Sequence, residues 1–303
     1  MRNLVAKTMC GMMGLGLVGG CASFDAAGPL YVARALTNEA AFTPGIEGPA
    51  CDRDGNIYAV NYEKQGTIGR VNPKGRGEVF VTLPDGSVGN GIRFNRTGQM
   101  FVADYTRHHV LKIDPLTKEI QVHAHESRMN QPNDLAIMED GTLYASDPNW
   151  GDGTGQVWRI DLDGTVTLVA PNMGTTNGIE VSPDGTRLYV NESVQLKVWV
   201  FDINLDKSLS NKRIFRSFKD YGFDGMRCDV KGNLYITRYS KGTVVVLSPD
   251  AEVIREIDVL GLKPSNICFG GPDGRTAYVT EVTKTRLVEF RTEWPGLAWA
   301  RFR

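Results

Sequence analysis

Six acid or amide residues recur at one fixed spacing in this chain of 303 residues, and their side chains could bind a metal ion. Each precedes by eight residues a glycine that ends a turn signal, and most are themselves followed by glycine. They are Glu47, Asn90, Asn133, Asn177, Asp224 and Asn266. Two carboxylates and four amides offer only hard oxygen donors, the set preferred by Ca²⁺, Mg²⁺ or Mn²⁺. These residues are therefore candidate metal ligands.

A plainer interpretation is that these side chains only cap turns and recur because the repeat recurs. Two observations speak against it. Glu47 is a poor local capping residue compared with Asp or Asn. The residue type also changes from copy to copy, as a binding site requires and a purely structural repeat does not.

The turn glycines define the elements that must position these side chains. They lie 43, 43, 44, 47 and 42 residues apart, and each is followed by a β-rich run such as NIYAV or TLYASD. Repeats of this length, with turn signals between short strands, are typical of a β-propeller. The sequence predicts an all-β fold, a six-bladed β-propeller with four antiparallel strands in each blade.

Strand order in such a blade predicts where the side chains meet. The start of the first strand and the loop between the second and third strands lie at the same end of an antiparallel meander. The six side chains should therefore converge on one mouth of the central channel, inside a rim made by the second loops. The rim candidates are Tyr105, His108, His109, Trp150, Glu192, Arg238, Tyr239 and Glu281.

The ring of blades must also be closed. We expect part of the segment 31–42 to supply the outer strand of the last blade, with the segment after Trp294 as a second contributor. We interpret residues 31–303 as one propeller domain.

The N-terminus has the pattern of an export signal. Arg2 and Lys7 precede a short apolar run that ends in Gly19, Gly20 and Cys21. We interpret 1–20 as a signal peptide and 21–30 as a tether. The stretch LVGGC resembles a bacterial lipobox, which implies lipidation of Cys21 and an exported lipoprotein on the periplasmic face of the outer membrane. The alternative is an ordinary signal peptide with a chance cysteine.

Composition limits the partners. The formal net charge is −1, and basic stripes with interleaved aromatic residues are absent from the sequence, which excludes nucleic acid as an expected partner. We expect a monomer that meets the membrane only through its lipid anchor. Cys51, Cys228 and Cys268 each follow a repeated acid or amide position, and we expect buried free thiols too far apart to form a disulfide.

The chain resembles the regucalcin/gluconolactonase family, which is related to the diisopropyl-fluorophosphatase propellers. The matching stretches include IEGPACDRDGNIY, QPNDLAIMEDGTLYASDP, TNGIEVSPDGTRLYVNES and DGMRCDVKGNLYIT. The resemblance implies one axial divalent metal held by Glu47, Asn177 and Asp224, with Asn133 binding the metal or the substrate. Ca²⁺ is the first choice, and Zn²⁺, Mn²⁺, Mg²⁺ and iron are alternatives.

The resemblance further implies metal-dependent hydrolysis of a small-molecule lactone or ester. Asp224 is the first candidate base, Asp147 the second, and metal-activated water a third possibility. Predicted substrate contacts come from the ring and the rim, namely Asn90, Gln131, Asn133, Trp150, Arg238 and Asn266. Sugar-lactone members often carry an Arg where this chain has Gln131, which weakens the case for a sugar acid lactone.

Two other functions stay open on the same site. One is an ester or organophosphate hydrolase, and the other is a non-catalytic binding propeller that Ca²⁺ stabilises. Propellers host all of these functions, so the fold does not decide between them. The sequence contains no G-x-S-x-G motif, which disfavours acyl-enzyme chemistry.

Overall fold

The structure is a computed structural model that describes residues 28–302. They form six antiparallel sheets of four strands each, arranged as the blades of a propeller. The prediction of a six-bladed, all-β fold is therefore confirmed. Within residues 28–302 no helix has the length and apolar character needed to cross a membrane.

The strands follow one another in chain order within each blade. The first blade contains β2 (Phe42–Cys51), β3 (Ile57–Tyr62), β4 (Thr67–Val71) and β5 (Gly77–Thr82). The second contains β6 (Gly89–Phe94), β7 (Met100–Asp104), β8 (His109–Ile113) and β9 (Ile120–His125). The third contains β10 (Leu135–Ile137), β11 (Leu143–Asn149), β12 (Thr154–Ile160) and β13 (Val166–Met173).

The remaining blades repeat this order. The fourth contains β14 (Thr176–Val181), β15 (Arg187–Glu192), β16 (Lys197–Ile203) and β17 (Leu209–Ser217). The fifth contains β18 (Met226–Cys228), β19 (Leu234–Arg238), β20 (Thr243–Leu247) and β21 (Val253–Asp258). The sixth contains β22 (Pro264–Gly270), β23 (Thr276–Glu281), β24 (Arg286–Arg291) and the N-terminal β1 (Arg34–Ala35).

Strand β1 closes the ring, as the sequence predicts for the segment 31–42. It pairs antiparallel with β24, with Arg34 opposite Glu289 and Ala35 opposite Val288. The Arg34 side chain donates to Glu289 Oε1 at 2.7 Å. The last blade therefore takes its outer strand from the opposite end of the chain, which ties the two termini of the propeller together.

The C-terminal segment does not share this role, so that expectation is wrong. Residues after Trp294 form the short helix α1 (Leu297–Phe302) at the end of the axis away from the second loops. Arg301 donates to the carbonyl oxygens of Ser182 and Pro183, and Trp299 Nε1 donates to the Gly271 carbonyl. These contacts join α1 to the turns of two blades, so the helix covers the channel instead of extending a sheet.

Glycines beside the ring residues let neighbouring blades approach closely. Gly48 has φ +58°, and a Cβ at this position would lie 1.9 Å from the Asn90 carbonyl oxygen. The Gly178 N–H donates to the Asp224 carbonyl at 3.1 Å, where a Cβ would lie 2.5 Å from that oxygen. Only glycine fits such positions. The main chains therefore meet at the axis, which brings the ring side chains together.

Apolar side chains fill the space between blades, and two cysteines in this space lie closer together than the sequence predicts. Ile46, Ile57 and Leu287 are among the buried residues between the last and the first blade. In the same layer the Sγ atoms of Cys51 and Cys268 lie 3.6 Å apart. The expectation that all three thiols are far apart is wrong, because adjacent blades bring equivalent positions close at the axis. All three cysteines are free thiols.

Candidate functional site

Five of the six ring residues line one cavity of about 500 Å³ at the mouth formed by the second loops. Glu47 comes from β2, Asn90 from β6 and Asn177 from β14, whereas Asn133 and Asp224 precede β10 and β18. The other residues that line this axial cavity are Tyr105, Trp150, Ser193, Val194, Gly222, Phe223, Tyr239 and Ser240. The sequence prediction that these side chains converge is therefore met by the geometry.

Asn266, the sixth ring residue, does not line the cavity and contacts Glu47 instead. It is almost fully buried, and its Nδ2 donates to Glu47 Oε2 at 2.9 Å. The Gly48 N–H also donates to Glu47 Oε2. These two donors fix the Glu47 carboxylate while Asn266 itself stays out of the cavity wall. The placement gives Asn266 a positioning role and argues against the predicted substrate contact.

Asn177 is oriented by a chain of side-chain hydrogen bonds. Its Nδ2 donates to Ser193 Oγ at 3.1 Å, and Ser193 Oγ donates to the Phe223 carbonyl at 2.7 Å. Because the amide nitrogen is engaged by Ser193, the amide oxygen is left without a protein donor. Ser193 lies just after β15 and thus sets which atom of Asn177 is available.

The amide oxygens of Asn90, Asn133 and Asn177 are buried and accept no hydrogen bond from residues 28–302. Buried polar atoms are almost always paired, so three in one ring call for a partner outside the chain. Oxygen atoms from amides beside two carboxylates suit a hard divalent cation. Among the described residues no cluster of three or more His, Cys, Asp and Glu side chains could hold a metal, so a cation here depends on the amides.

The two carboxyl groups of the ring are hard to ionise together. Burial, and then the negative charge of Asp134, raises the pKa of Glu47 to about 7. Burial, and then the neighbouring Glu47, raises the pKa of Asp224 well above its usual value. Two crowded, half-buried carboxyl groups favour either a shared proton or a cation between them. The site is therefore electrostatically prepared for a positive ligand.

A group of buried charged side chains, Asp134, Arg93 and Arg227, lies beneath the ring and was not predicted from the sequence. Asp134 is fully buried, with Oδ2 2.8 Å from Arg227 Nη1 and Oδ1 3.3 Å from Arg93 Nη1. Burial opposes its ionisation, but Arg227 and Arg93 together lower the pKa of Asp134. The signal that could have found this group is the presence of arginine inside the apolar runs GIRF and GMRC.

The predicted rim residues fall into two groups. Tyr105, Trp150 and Tyr239 line the axial cavity. Tyr105 and Trp150 also border an adjoining cavity of about 530 Å³, together with His108 and Gln131. Gln131 therefore lies beside the ring instead of within it, at a place that a larger substrate could reach.

The other predicted rim residues line neither cavity, namely His109, Glu192, Arg238 and Glu281. Arg238 is 1% exposed, lies against Phe218 and Phe223, and donates to Asp220 Oδ1 at 2.7 Å. This placement argues against the predicted role of Arg238 in substrate binding. The carboxylates Glu192 and Glu281 are buried. Glu192 accepts the main-chain N–H of Gly174, between β13 and β14, and Glu281 accepts those of Thr283 and Lys284 in its own second loop.

Asp147, the second candidate base, is also a structural carboxylate. It is fully buried at the end of β11 and accepts from Trp158 Nε1 and Gln156 Nε2, both at 2.8 Å. Its Oδ1 accepts from the main-chain N–H groups of Asn130 at 2.8 Å and Gln131 at 2.6 Å. With its oxygens engaged and no place in the cavity wall, Asp147 holds the loop before Asn133 in position.

Known proteins resemble this chain over most of its length. Residues 45–283 match the family model described as the SMP-30/Gluconolactonase/LRE-like region. A gluconolactonase from Zymomonas mobilis is 26% identical, with 82% of this chain and 79% of that protein covered. The diisopropyl-fluorophosphatase of Loligo vulgaris is 28% identical, with 83% and 89% covered. The solved structure of a calcium-binding regucalcin from Agrobacterium tumefaciens has a TM-score of 0.75 at 20% identity, with 88% and 96% covered.

Proposed function

Because the chain belongs to the SMP-30/gluconolactonase/LRE-like family, we propose that it is a lactone hydrolase that depends on one divalent cation. The cation would be held at the ring by Glu47, Asn133, Asn177 and Asp224. The supporting observation is the set of buried amide oxygens without donors beside two carboxyl groups that resist ionisation together. Ca²⁺ suits this all-oxygen set best, and Mn²⁺, Mg²⁺, Zn²⁺ and iron are alternatives.

A bound divalent cation would polarise the lactone carbonyl and stabilise the negative charge that develops on its oxygen. Asn90 lies in the same wall and can donate through Nδ2 to a substrate oxygen. Trp150 and Tyr239 border the cavity above the ring and restrict the orientation of the lactone. These residues hold the carbonyl against the ring and leave one face open to water.

Asp224 is the candidate general base. It can accept a proton from the water that attacks the carbonyl carbon, and the carbon–oxygen ring bond then breaks. The same proton is returned to the departing alkoxide oxygen, which gives a hydroxy acid. The raised pKa of Asp224 strengthens it as a base, whereas a ligand role weakens it. Comparison of metal content and turnover separates these two roles.

A pH-indicator assay over a panel of lactones, with and without chelator, tests this function. We expect acid release that chelator abolishes and Ca²⁺ or another divalent ion restores. The variant Asp224→Asn should lose turnover by at least about a hundredfold, and unchanged metal content in that variant would assign the base role. Absence of acid release from every lactone and metal would contradict the proposal and favour a binding propeller.

Organophosphates and simple esters belong in the same panel. The Loligo vulgaris relative is a diisopropyl-fluorophosphatase at 28% identity over most of both chains, which supports organophosphate hydrolysis as the second candidate. Faster hydrolysis of an organophosphate than of any lactone would favour that candidate.

The signal at the N-terminus lies outside the described residues, and export remains part of the proposal. We propose that residues 1–20 are removed, that Cys21 is lipidated and that the chain is carried to the periplasmic face of the outer membrane. Expression in a Gram-negative host, followed by mass spectrometry, should show a diacylglyceryl group on Cys21 that Cys21→Ser lacks. A released chain without lipid would contradict the proposal.

A further inference from the structure

The wall of the axial cavity above the ring is uncharged and largely apolar. Trp150 and Val194 are 40% and 64% exposed, and Tyr105 and Tyr239 line the same space. Exposed apolar groups that face one another across a cavity provide contact area for an apolar ligand.

The same wall contains no lysine or arginine among the described residues. Arg238 is directed to Asp220, and the Arg93 and Arg227 guanidinium groups are bound to Asp134 beneath the ring. Lys263 Nζ lies 5.8 Å from the centre of the Tyr239 ring but does not line either cavity. A divalent cation would be balanced by Glu47 and Asp224, so no positive charge remains for an anionic substrate.

We infer that the substrate is an uncharged lactone with an alkyl or aryl substituent that lies against Trp150 and Val194. Phosphorylated, sulfonated and carboxylated lactones are disfavoured, because their anionic groups would be desolvated without a partner. This inference rests on the proposed lactone hydrolase activity and adds the substrate class to it.

Two series of lactones test the inference with the metal-loaded protein. Over γ-butyrolactone, γ-hexalactone and γ-nonalactone, kcat/KM should rise about two- to fourfold for each methylene that is buried. Glucono-δ-lactone 6-phosphate should be hydrolysed at least about a hundredfold more slowly than the unphosphorylated lactone. A flat alkyl series, or equal rates with the 6-phosphate, would overturn the inference. A complete lack of turnover with all five compounds would instead contradict the lactone hydrolase function itself.

Variants at the wall make the test specific. Trp150→Ala should lower kcat/KM for γ-nonalactone about tenfold more than for γ-butyrolactone, mainly through KM. Trp294→Ala is the matched control, since Trp294 is similarly exposed, at 37%, and lies outside both cavities. Val194→Lys should raise the rate with the 6-phosphate, because it adds the missing cation. Equal losses for both alkyl lactones in Trp150→Ala would contradict an apolar contact.

A separate observation concerns the opposite end of the channel, where the thiols of Cys51 and Cys268 lie 3.6 Å apart. Cys51 lies at the end of β2 in the first blade, and Cys268 lies in β22 of the last blade. Cys51 is partly exposed and borders a cavity of about 300 Å³ beside α1. A Cβ at residue 270 would lie 2.5 Å from Cys51 Sγ, so glycine leaves room for this thiol.

We propose that Cys51 and Cys268 form a disulfide that covalently joins the first and last blades. The two thiols lose two protons and two electrons, and an oxidant of the disulfide class, such as oxidised glutathione, is reduced to two thiols. The sulfur atoms must approach to about 2.05 Å. The resulting bond would supplement the noncovalent closure by β1 at the junction of the first and last blades.

Incubation with oxidised glutathione, followed by alkylation and peptide mapping, tests this bond. We expect a Cys51–Cys268 cross-linked peptide, a mass loss of about 2 Da and a rise in Tm of about 5–10 °C. Cys228→Ser is the control and should behave like the parent protein, whereas Cys51→Ser should lack both effects. Full alkylation of Cys51 and Cys268 after oxidation and unfolding, or a bond that involves Cys228, would overturn the proposal.

Discussion

The carboxyl groups of Glu47 and Asp224 face one cavity although they belong to the first and fifth blades of the propeller. Burial raises the pKa of both groups, helped by the negative charge of Asp134 at Glu47 and by that of Glu47 at Asp224. The amide oxygens of three neighbouring ring residues lack donors. This arrangement is unfavourable without a positive charge, and it becomes favourable when a cation replaces the proton.

The first prediction concerns pH and the Glu47 carboxyl. Its folded-state pKa, about 7, lies above the ordinary value of 4.5, so the folded state holds the proton more tightly. The corresponding stability is fully present below about pH 4.5 and is lost as pH rises to 7 and above. With a chelator present, the free energy of unfolding of the parent protein should fall by about 2 kcal/mol more than that of Glu47→Gln as the pH rises from 5 to 8.

Denaturant titrations at several pH values measure this difference. Saturating Ca²⁺ should remove it, because the cation then replaces the proton. Parallel pH profiles for the parent and Glu47→Gln proteins in chelator would contradict the electrostatic account of the ring.

The second prediction concerns Ser193, which engages the Asn177 amide nitrogen at 3.1 Å. Ser193→Ala should weaken metal binding about tenfold, because an amide held by a neighbouring side chain is a better oriented ligand. Ser208→Ala, in the turn between β16 and β17 of the same blade, is the control and should leave the affinity unchanged. Unaltered metal affinity in Ser193→Ala would mean that Asn177 needs no orientation or binds no cation.

The third prediction separates structure from catalysis at Asp147. Asp147→Asn should lower the free energy of unfolding by about 2–4 kcal/mol, since buried donors such as Trp158 Nε1 would lose a charged acceptor. Under conditions in which the variant stays folded, kcat/KM should fall by no more than about tenfold, the loss expected for a residue that positions the loop before Asn133 and is not the base. A hundredfold loss of turnover with normal stability would instead identify Asp147 as the base.

The fourth prediction concerns the buried ion pairs beneath the ring. Arg227→Met leaves the buried Asp134 with Arg93, at 3.3 Å, as its one ion-pair partner among residues 28–302, and should cost about 3–5 kcal/mol in unfolding free energy. Arg70→Met, which breaks the exposed pair with Glu78, should cost less than about 1 kcal/mol. Similar losses of unfolding free energy in the two variants would show that the buried ion pairs of Asp134 contribute no more to stability than an exposed pair does.

The repeat spacing predicts most of the fold and the convergence of the ring. The fixed offset of eight residues places Glu47 and its five equivalents at the same point of each blade. The radial arrangement of the blades then brings these points together at one mouth of the channel. The same reasoning could not predict the direction of individual side chains on the second loops. Trp150 faces the cavity while Arg238 turns toward Asp220, because loop conformation and local partners decide this.

Contacts between blades could not be predicted from the sequence either. The distance between Cys51 and Cys268 depends on which blades are neighbours in the closed ring and on how closely their first strands approach. The helix α1 also escaped prediction, since its position depends on turns that lie far away in the chain, including the carbonyl of Ser182.

Calorimetric titration of the chelator-treated protein with Ca²⁺ tests the central claim most directly. We predict one bound ion per chain, release of protons near pH 7 as the ring carboxyl groups ionise, and loss of this binding in the double variant of Glu47→Gln and Asp224→Asn. Unchanged binding in the double variant, or no binding of Ca²⁺ or of any other divalent ion by the parent protein, would contradict it.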